Sequence, residues 1–390
     1  MAGTWISSPI GVLFTLCTVA AFWFLVEQVA GWKIFRYFPP LLWIYATPVV
    51  LNNTGVIPGQ SPAYTGLSAY ALPVFIVLML LKVNVPAAVR VMGRGVLVML
   101  LGTAGVVVGG AVAYLVVHRW LSPDAWRGFG ALAGSWIGGT GNMAAVAEGL
   151  ATPPEQFGLA VLADNVVYVV WLPILLGSKA FADRFNTWAR VPPDRLERMD
   201  AAISAAAVEE RPIVMRDYLY LAALALGVTW AATALAPLIP EVEPVLSTST
   251  WRILLVTTGG LLLSLTPARY LPGSTLLATA MVYVFVAGMG ARASLAGFGQ
   301  APAFLLGAFI WIAIHGATCL AGAWALKVDV HSAAIASAAN IGGIASAPVV
   351  AAWHRPNLVP IAILMALLGY ALGNYLGFMT ANLARVFAGQ

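Results

Sequence analysis

Apolar runs of about 20 residues, separated by short polar turns, fill most of this chain. A run of that length is what an α-helix needs to cross the ~30 Å hydrocarbon core of a bilayer. The pattern predicts spanning helices over 10–30, 38–57, 64–82, 95–117 and 157–177, and again over 218–238, 251–267, 273–290, 301–325 and 358–384. Two further apolar segments, 128–152 and 332–353, are interrupted by glycine, at Ile137-Gly138-Gly139-Thr140-Gly141-Asn142 and at Ile341-Gly342-Gly343-Ile344-Ala345-Ser346. Each precedes the last helix of its set. A helix broken inside a membrane frees backbone N–H and C=O groups that hydrocarbon cannot satisfy, so such breaks belong where protein or a polar cavity surrounds them. Paired breaks in two similar halves point to the binding site of a secondary transporter.

Between the sets, Ser178 to Asp217 mixes seven basic with seven acidic residues and marks a solvated connection. The chain therefore divides into a first repeat, 1–177, with broken segment 128–152; a connecting loop, 178–217; and a second repeat, 218–390, with broken segment 332–353. Superposing the two glycine breaks leaves Pro58-Gly59 ten residues out of register with Pro272-Gly273, so the likeness between halves is one of structure more than of sequence. The expected fold is an all-α polytopic membrane protein built from two inverted repeats of five transmembrane helices, each with a broken helix or re-entrant hairpin before its last helix. Composition agrees, with 61% hydrophobic and 9% charged residues. The net charge of +5 reads as topogenic Lys and Arg in loops, not as a nucleic-acid surface. Cys17 and Cys319 lie in apolar runs and read as small core residues. The first run has no basic residue before it and is longer than a signal-peptide core, so it reads as a retained helix.

Orientation follows from the basic residues. If each broken segment enters and leaves on one side, fifteen Lys and Arg fall on the side of the connecting loop, among them Lys33, Arg36, Lys82, Arg269, Lys327 and Arg355, and five fall on the other. If both segments cross, the split is twelve against eight. The positive-inside rule favours the hairpins, which place the connecting loop in the cytoplasm and both termini outside. Five crossings per half also invert the second repeat relative to the first, a geometry suited to alternating access.

Gly138-Gly139-Thr140-Gly141-Asn142 and its partner Gly342-Gly343, each before the last helix of a half, resemble the hairpin tips of the glutamate:sodium and citrate:sodium symporters. The whole chain resembles an uncharacterised family of bacterial membrane permeases, defined as a domain of unknown function and similar to those symporters. The resemblance implies a bacterial inner-membrane, cation-coupled carrier that moves a transport region against a scaffold, often as a homodimer. The second tip departs from the pattern, with Ile344-Ala345-Ser346 where the first has Thr140-Gly141-Asn142.

The chemistry of these residues can be read directly. Consecutive glycines permit positive φ and close approach of backbone to a ligand, and the helix ends at a break carry partial charges. Gly138, Gly139, Thr140, Gly141, Asn142, Asn340, Gly342, Gly343 and Ser346 are the substrate-binding candidates; packing of small residues is the alternative role. Asp164, beside Asn165, is the acid most clearly inside a span, and a carboxylate there is costly without partners. Asp164, Asn165 and Asn374 are the ion-coupling candidates, with sodium possible at Asp164; the alternative for Asp164 is capping of backbone freed at the break. His315 is a candidate proton or anion site, or else a hydrogen-bonded structural residue. Asn52-Asn53-Thr54 and Thr257-Thr258 are further polar positions near span ends, and Trp23, Trp43, Trp120, Trp126 and Trp251 suit interfacial belts.

No metalloprotease helix, nucleophile elbow, phosphate-binding loop or cysteine-pair metal site occurs, so an enzyme is not expected. The expected function is sodium- or proton-coupled symport of a small carboxylate, amino acid or short peptide, with no cofactor beyond the coupling ion Na+ or H+. The partners are a small-molecule substrate, the lipid bilayer and a second copy of the chain. A monovalent cation/proton antiporter using Asp164 is the alternative; a non-transporting receptor or scaffold is a third.

Overall fold

The computed structural model describes residues 4–31, 35, 40–193, 211–293 and 299–390. Lys33 and Arg36 of the charge tally, and 194–210 of the connecting loop, lie outside these described residues. Elsewhere the chain is helical: α1 Pro9–Ala30, α2 Pro40–Asn53, α3 Pro62–Leu80, α4 Val85–Met92, α5 Arg94–Val117, α6 Ala125–Gly149, α7 Pro154–Gly177 and α8 Ala182–Trp188. After the connecting loop come α9 Met215–Leu235, α10 Thr248–Ser264, α11 Ser274–Ala291, α12 Ala301–Leu326, α13 Val330–Ile341, α14 Gly343–His354 and α15 Val359–Phe387.

The boundaries follow local chemistry. Ser8 accepts the Gly11 N–H and Pro9 starts α1, which ends at Gly31 in the left-handed region. Asp329 accepts the Ser332 N–H at 2.8 Å to open α13. Arg211 grips Asp217 with two hydrogen bonds of 2.6 and 2.7 Å, fixing the chain as it enters α9. At the start of α10 the Thr248 hydroxyl and N–H hold the Glu241 carboxyl below its usual range.

Eight helices among the described residues are long and apolar enough to span a membrane. They match eight of the ten expected spans. The other two positions hold shorter helices. α2 has 14 residues, with Pro48 inside it, and the chain turns at Gly55 (φ 76°). α10 has 17, and Thr266-Pro267 follows it. At 1.5 Å per residue the described part of α2 extends about 21 Å, short of the ~30 Å core.

Contacts divide the helices into two bundles. In one, α1 packs on α2 and α11 while α9 packs on α10 and α3, and α2 meets α11 as α10 meets α3. In the other, α5 lies along α12, and α6 and α15 form the most extensive contact of the molecule, with α7, α13 and α14 around them. Contacts between the bundles are sparse by comparison.

Both glycine breaks are turns. In α6 the backbone leaves the helix at Gly139 (φ 76°, ψ −179°). Arg127 then donates to the Ala151 carbonyl at 3.1 Å, where a straight helix would separate those residues by about 36 Å. A Cβ on Gly134 would sit 2.8 Å from the Asn142 carbonyl oxygen, so the two arms lie back to back. Likewise α13 and α14 meet at Gly342 and Gly343 (φ 56°), and the His331 and His354 Nδ1 atoms at their far ends are 2.9 Å apart.

Candidate functional site

The two turns point at each other. A Cβ on Gly343 would lie 3.8 Å from the Gly139 Cα, and Tyr370 of α15 borders both glycines. Around this junction lies a cavity of about 290 Å³. Gly139, Thr140 and Gly141 line it from the first turn, and Ile341, Gly342, Ile344 and Ala345 from the second. Ser135, Asp164 and Tyr370 come from the same bundle, while Met79 of α3 and Thr279, Val282 and Tyr283 of α11 close it from the other.

Asp164 is the one Asp, Glu, Lys, Arg or His in this lining. It stands about 15 Å along α7 from Pro154, inside a helix long and apolar enough to span a membrane. Its carboxylate is held by the arm of α6 that leads to the turn, accepting from Ser135 Oγ at 3.1 Å and from Trp136 Nε1 at 2.9 Å. Trp136 is fully buried, and its ring packs on Trp311 at 4.8 Å between centroids. Trp311 in turn stacks on Phe129 at 5.5 Å and donates to the Val106 carbonyl. An aromatic column thus sets the direction of the donor that faces Asp164. A carboxylate oxygen retains lone pairs after one hydrogen bond, so Asp164 can still ligate a cation or take a proton.

The other sequence candidates occupy several environments. Asn142 is buried behind its turn and donates to the Tyr370 carbonyl at 3.0 Å, tying the turn to α15. Gly138 packs there too, against the Gly369 carbonyl. Ser346 is buried one turn into α14, where a Cβ on Gly342 would meet it and the Tyr168 ring. Asn165 points away from Asp164 and donates to the Val161 carbonyl of its own helix. Asn340 is a bridge: it donates to the Met99 carbonyl and accepts from Thr103 Oγ1, both at 3.1 Å. Asn374 donates to Thr257 Oγ1 across the bundles at 2.8 Å, and its Oδ1 is buried without a partner.

His315 is fully buried between the Gly102 carbonyl and Ser337 Oγ, 2.9 Å from each, and does not line the cavity. Asn52 and Asn53 both donate to the Ala293 carbonyl. Trp126 is buried, and Trp23 donates to Thr47 and stacks on Trp43, whereas Trp120 is exposed as a belt residue would be. Cys17 and Cys319 are both free thiols; Cys319 is buried as a small core residue would be, whereas Cys17 is exposed on α1 and is not. Among the described residues no group of three or more His, Cys, Asp or Glu side chains is placed to hold a metal.

Sequence reasoning missed Ser135, Trp136, Met79, Thr279, Val282 and Tyr283. Only the search for a donor to Asp164 in the preceding apolar arm had a signal to follow. The α11 residues become neighbours of the turns through tertiary packing alone.

Among the described residues, fold and site together define an all-helical, multi-pass integral membrane protein with a cavity of mixed polar and apolar lining at the meeting point of two broken helices. The chain belongs to the family described as protein of unknown function (DUF819), whose model matches residues 14–387. It is also similar to the uncharacterized membrane protein YjcL of Bacillus subtilis (strain 168), at 28% identity over 349 residues covering 86% of this chain and 87% of that protein.

Proposed function

We propose that this protein is a secondary active transporter, a sodium- or proton-coupled symporter of a small organic solute that works by alternating access. The observation that carries the reading is the convergence of both glycine turns and a lone carboxylate, Asp164, on one cavity of about 290 Å³ between two bundles. In this reading the doubled-back segments are re-entrant hairpins. The helix pairings that recur, α1 with α2 and α9 with α10, α2 with α11 and α10 with α3, support two inverted five-helix repeats. The bundle holding both turns is the moving part and the bundle of α1–α3 and α9–α11 the scaffold.

Asp164 takes the coupling ion, and the backbone and hydroxyl groups at the turns take the solute. The unpartnered Asn374 Oδ1 is a further oxygen available to an ion. A cation/proton antiporter would need only a narrow path to Asp164; a cavity wider than a hydrated ion, walled by two doubled-back segments, favours the symporter. The protein works as a carrier rather than an enzyme, in a bacterial inner membrane, with the connecting loop in the cytoplasm, the termini outside, and a second copy as partner.

Ligand that binds only the folded state raises its stability by mass action, so sodium titrations of the melting temperature test the proposal. Purified wild type and Asp164→Asn are compared in sodium and potassium chloride at matched ionic strength. Saturable, sodium-selective stabilisation of wild type that is lost in Asp164→Asn supports sodium coupling. No sodium effect, joined to solute uptake driven by a pH gradient, supports proton coupling; no solute flux under either gradient defeats the transporter reading.

A further inference from the structure

At one face of the molecule the two bundles are fastened together by polar side chains. α7 runs from Pro154 to Gly177, where the connecting loop begins, so Pro154 and the neighbouring end of α6 lie at the face opposite that loop. Gly149 ends α6 there, and its carbonyl is one of the last four of the helix, which have no partner within it. The other bundle supplies the partners from the start of α10: Thr250 Oγ1 stands 3.0 Å from this oxygen, and Ser247 Oγ and Ser249 Oγ stand 3.3 Å from it. The adjacent Glu148 pairs with Arg292, which follows α11, at 3.7 Å. Tyr45 of α2 donates to the Pro154 carbonyl at 3.3 Å. Three elements of one bundle thus grip the departing arm of the first turn and the start of α7.

An apolar layer adjoins these contacts. A Cβ on Gly149 would run into Phe378 of α15 and Ile253 of α10, and both of those side chains are buried. Tyr45 packs edge-on against the fully buried Phe157 of α7, with ring centroids 5.8 Å apart. Gly149 lies about 12 Å along the helix from Gly141, which lines the cavity. A polar solute leaving the cavity towards this face would meet apolar side chains from both bundles, where it would have to shed its hydrogen bonds. The polar contacts are separable by comparison. Each hydroxyl bond or partly exposed ion pair shifts an equilibrium by about tenfold or less, because water replaces it when it breaks.

We infer that these contacts form a gate on the face opposite the connecting loop, with Glu148–Arg292 and the hydroxyl cradle around the Gly149 carbonyl as its latch and Ile253, Phe378, Tyr45 and Phe157 as its plug. The gate is shut in this structure and must part for solute to pass on that face. This deepens the transporter reading and rests on it.

The test reads access to the cavity and needs no known solute. In the full chain with Cys17 and Cys319 replaced, Ala345→Cys places one thiol in the cavity lining. Its rate of labelling by a membrane-impermeant maleimide is measured in proteoliposomes with the Arg292 face outward. Val242→Cys, in the exposed link between α9 and α10, identifies that orientation in a separate preparation. Labelling of the parent should be slow. Glu148→Gln and Arg292→Gln should each speed it by about threefold to fivefold, and adding Ser249→Ala to either should bring the gain to about tenfold. The exchange Glu148→Arg with Arg292→Glu should return the rate to that of the parent. Melting temperatures in potassium chloride identify any variant that has merely lost its fold, and the exchange variant separates loss of the pair from loss of either side chain.

Equal labelling rates in parent and latch variants overturn the inference, as does an exchange variant that labels as fast as the single variants, or a thiol that no variant exposes at this face. Solute flux together with unchanged labelling rates sinks the gate and leaves the carrier standing. The expected labelling rates without solute flux under a sodium or a pH gradient uphold the gate and sink the carrier.

Discussion

A carboxylate at membrane depth needs partners, and Asp164 draws both of its own from the neighbouring arm, at Ser135 and Trp136. Trp136 can only donate, and its ring is held by Trp311, so it holds the Asp164 Oδ1 against the α6 arm. Trp136→Phe keeps an aromatic ring and removes the N–H. Both the ion-free and the ion-bound protein can keep this bond, so in the proposed sodium-coupled reading the variant should move the midpoint of the sodium titration by about tenfold for each 1.4 kcal/mol by which the bond differs between the two states. If Trp136 served only packing, Trp136→Phe would lower the melting temperature in potassium chloride and leave that midpoint unchanged. Asp164 was legible in sequence because an acid stands out in an apolar run. Trp136 was not, since an indole in such a run is equally at home facing lipid, a ring or a carboxylate.

At the scale of elements, the contact of α6 with α15 depends on glycine. Gly130, Gly134 and Gly138 recur every fourth residue on the arriving arm, and Gly369, Gly373 and Gly377 do so on α15. The stripes face each other in antiparallel sense. A Cβ on Gly377 would lie 3.3 Å from the Gly134 Cα, and one on Gly373 would run into Asn142 Nδ2. Small residues at this spacing let membrane helices approach to backbone contact. Gly373→Ala should therefore displace Asn142, loosen the first turn from the Tyr370 carbonyl, and cost about 1–3 kcal/mol in overpacking. Gly227→Ala in α9 is the control: open space surrounds that Cβ, so the change should be neutral or stabilising by up to about 1 kcal/mol. Melting temperatures of the two variants in potassium chloride decide the matter. The turns themselves were readable as glycine runs in apolar segments. The stripes facing each other were not, because either one alone reads as a flexible patch on a single helix.

For the molecule as a whole, the cavity lies where two bundles meet, so relative motion of the bundles would open and close it. Contacts across that boundary are few, and Thr258 Oγ1 with Tyr375 Oη at 2.7 Å is one of them, away from the cavity lining. If the protein carries solute as proposed, then with Cys17 and Cys319 replaced a short cleavable thiol crosslinker joining Thr258→Cys and Tyr375→Cys should abolish solute flux while sparing the ligand-induced thermal shift, and cleavage of the linker should restore flux. Full flux in the crosslinked protein would exclude motion at this boundary.

The amino-acid sequence by itself determined the membrane class, eight of the ten expected spans, the two breaks and the suspicion that falls on Asp164. Each of these rests on local properties: run length against bilayer thickness, glycine in an apolar segment, one charge at depth. Only the tertiary structure decided that the breaks face each other, that Asn340 and His315 are tied to α5 and not to the cavity, and that Thr279 and Tyr283 wall the site. The physical reason is range. A polar residue in a membrane helix must find a partner, but its sequence records only the need, and the partner's identity depends on which helix the fold brings alongside.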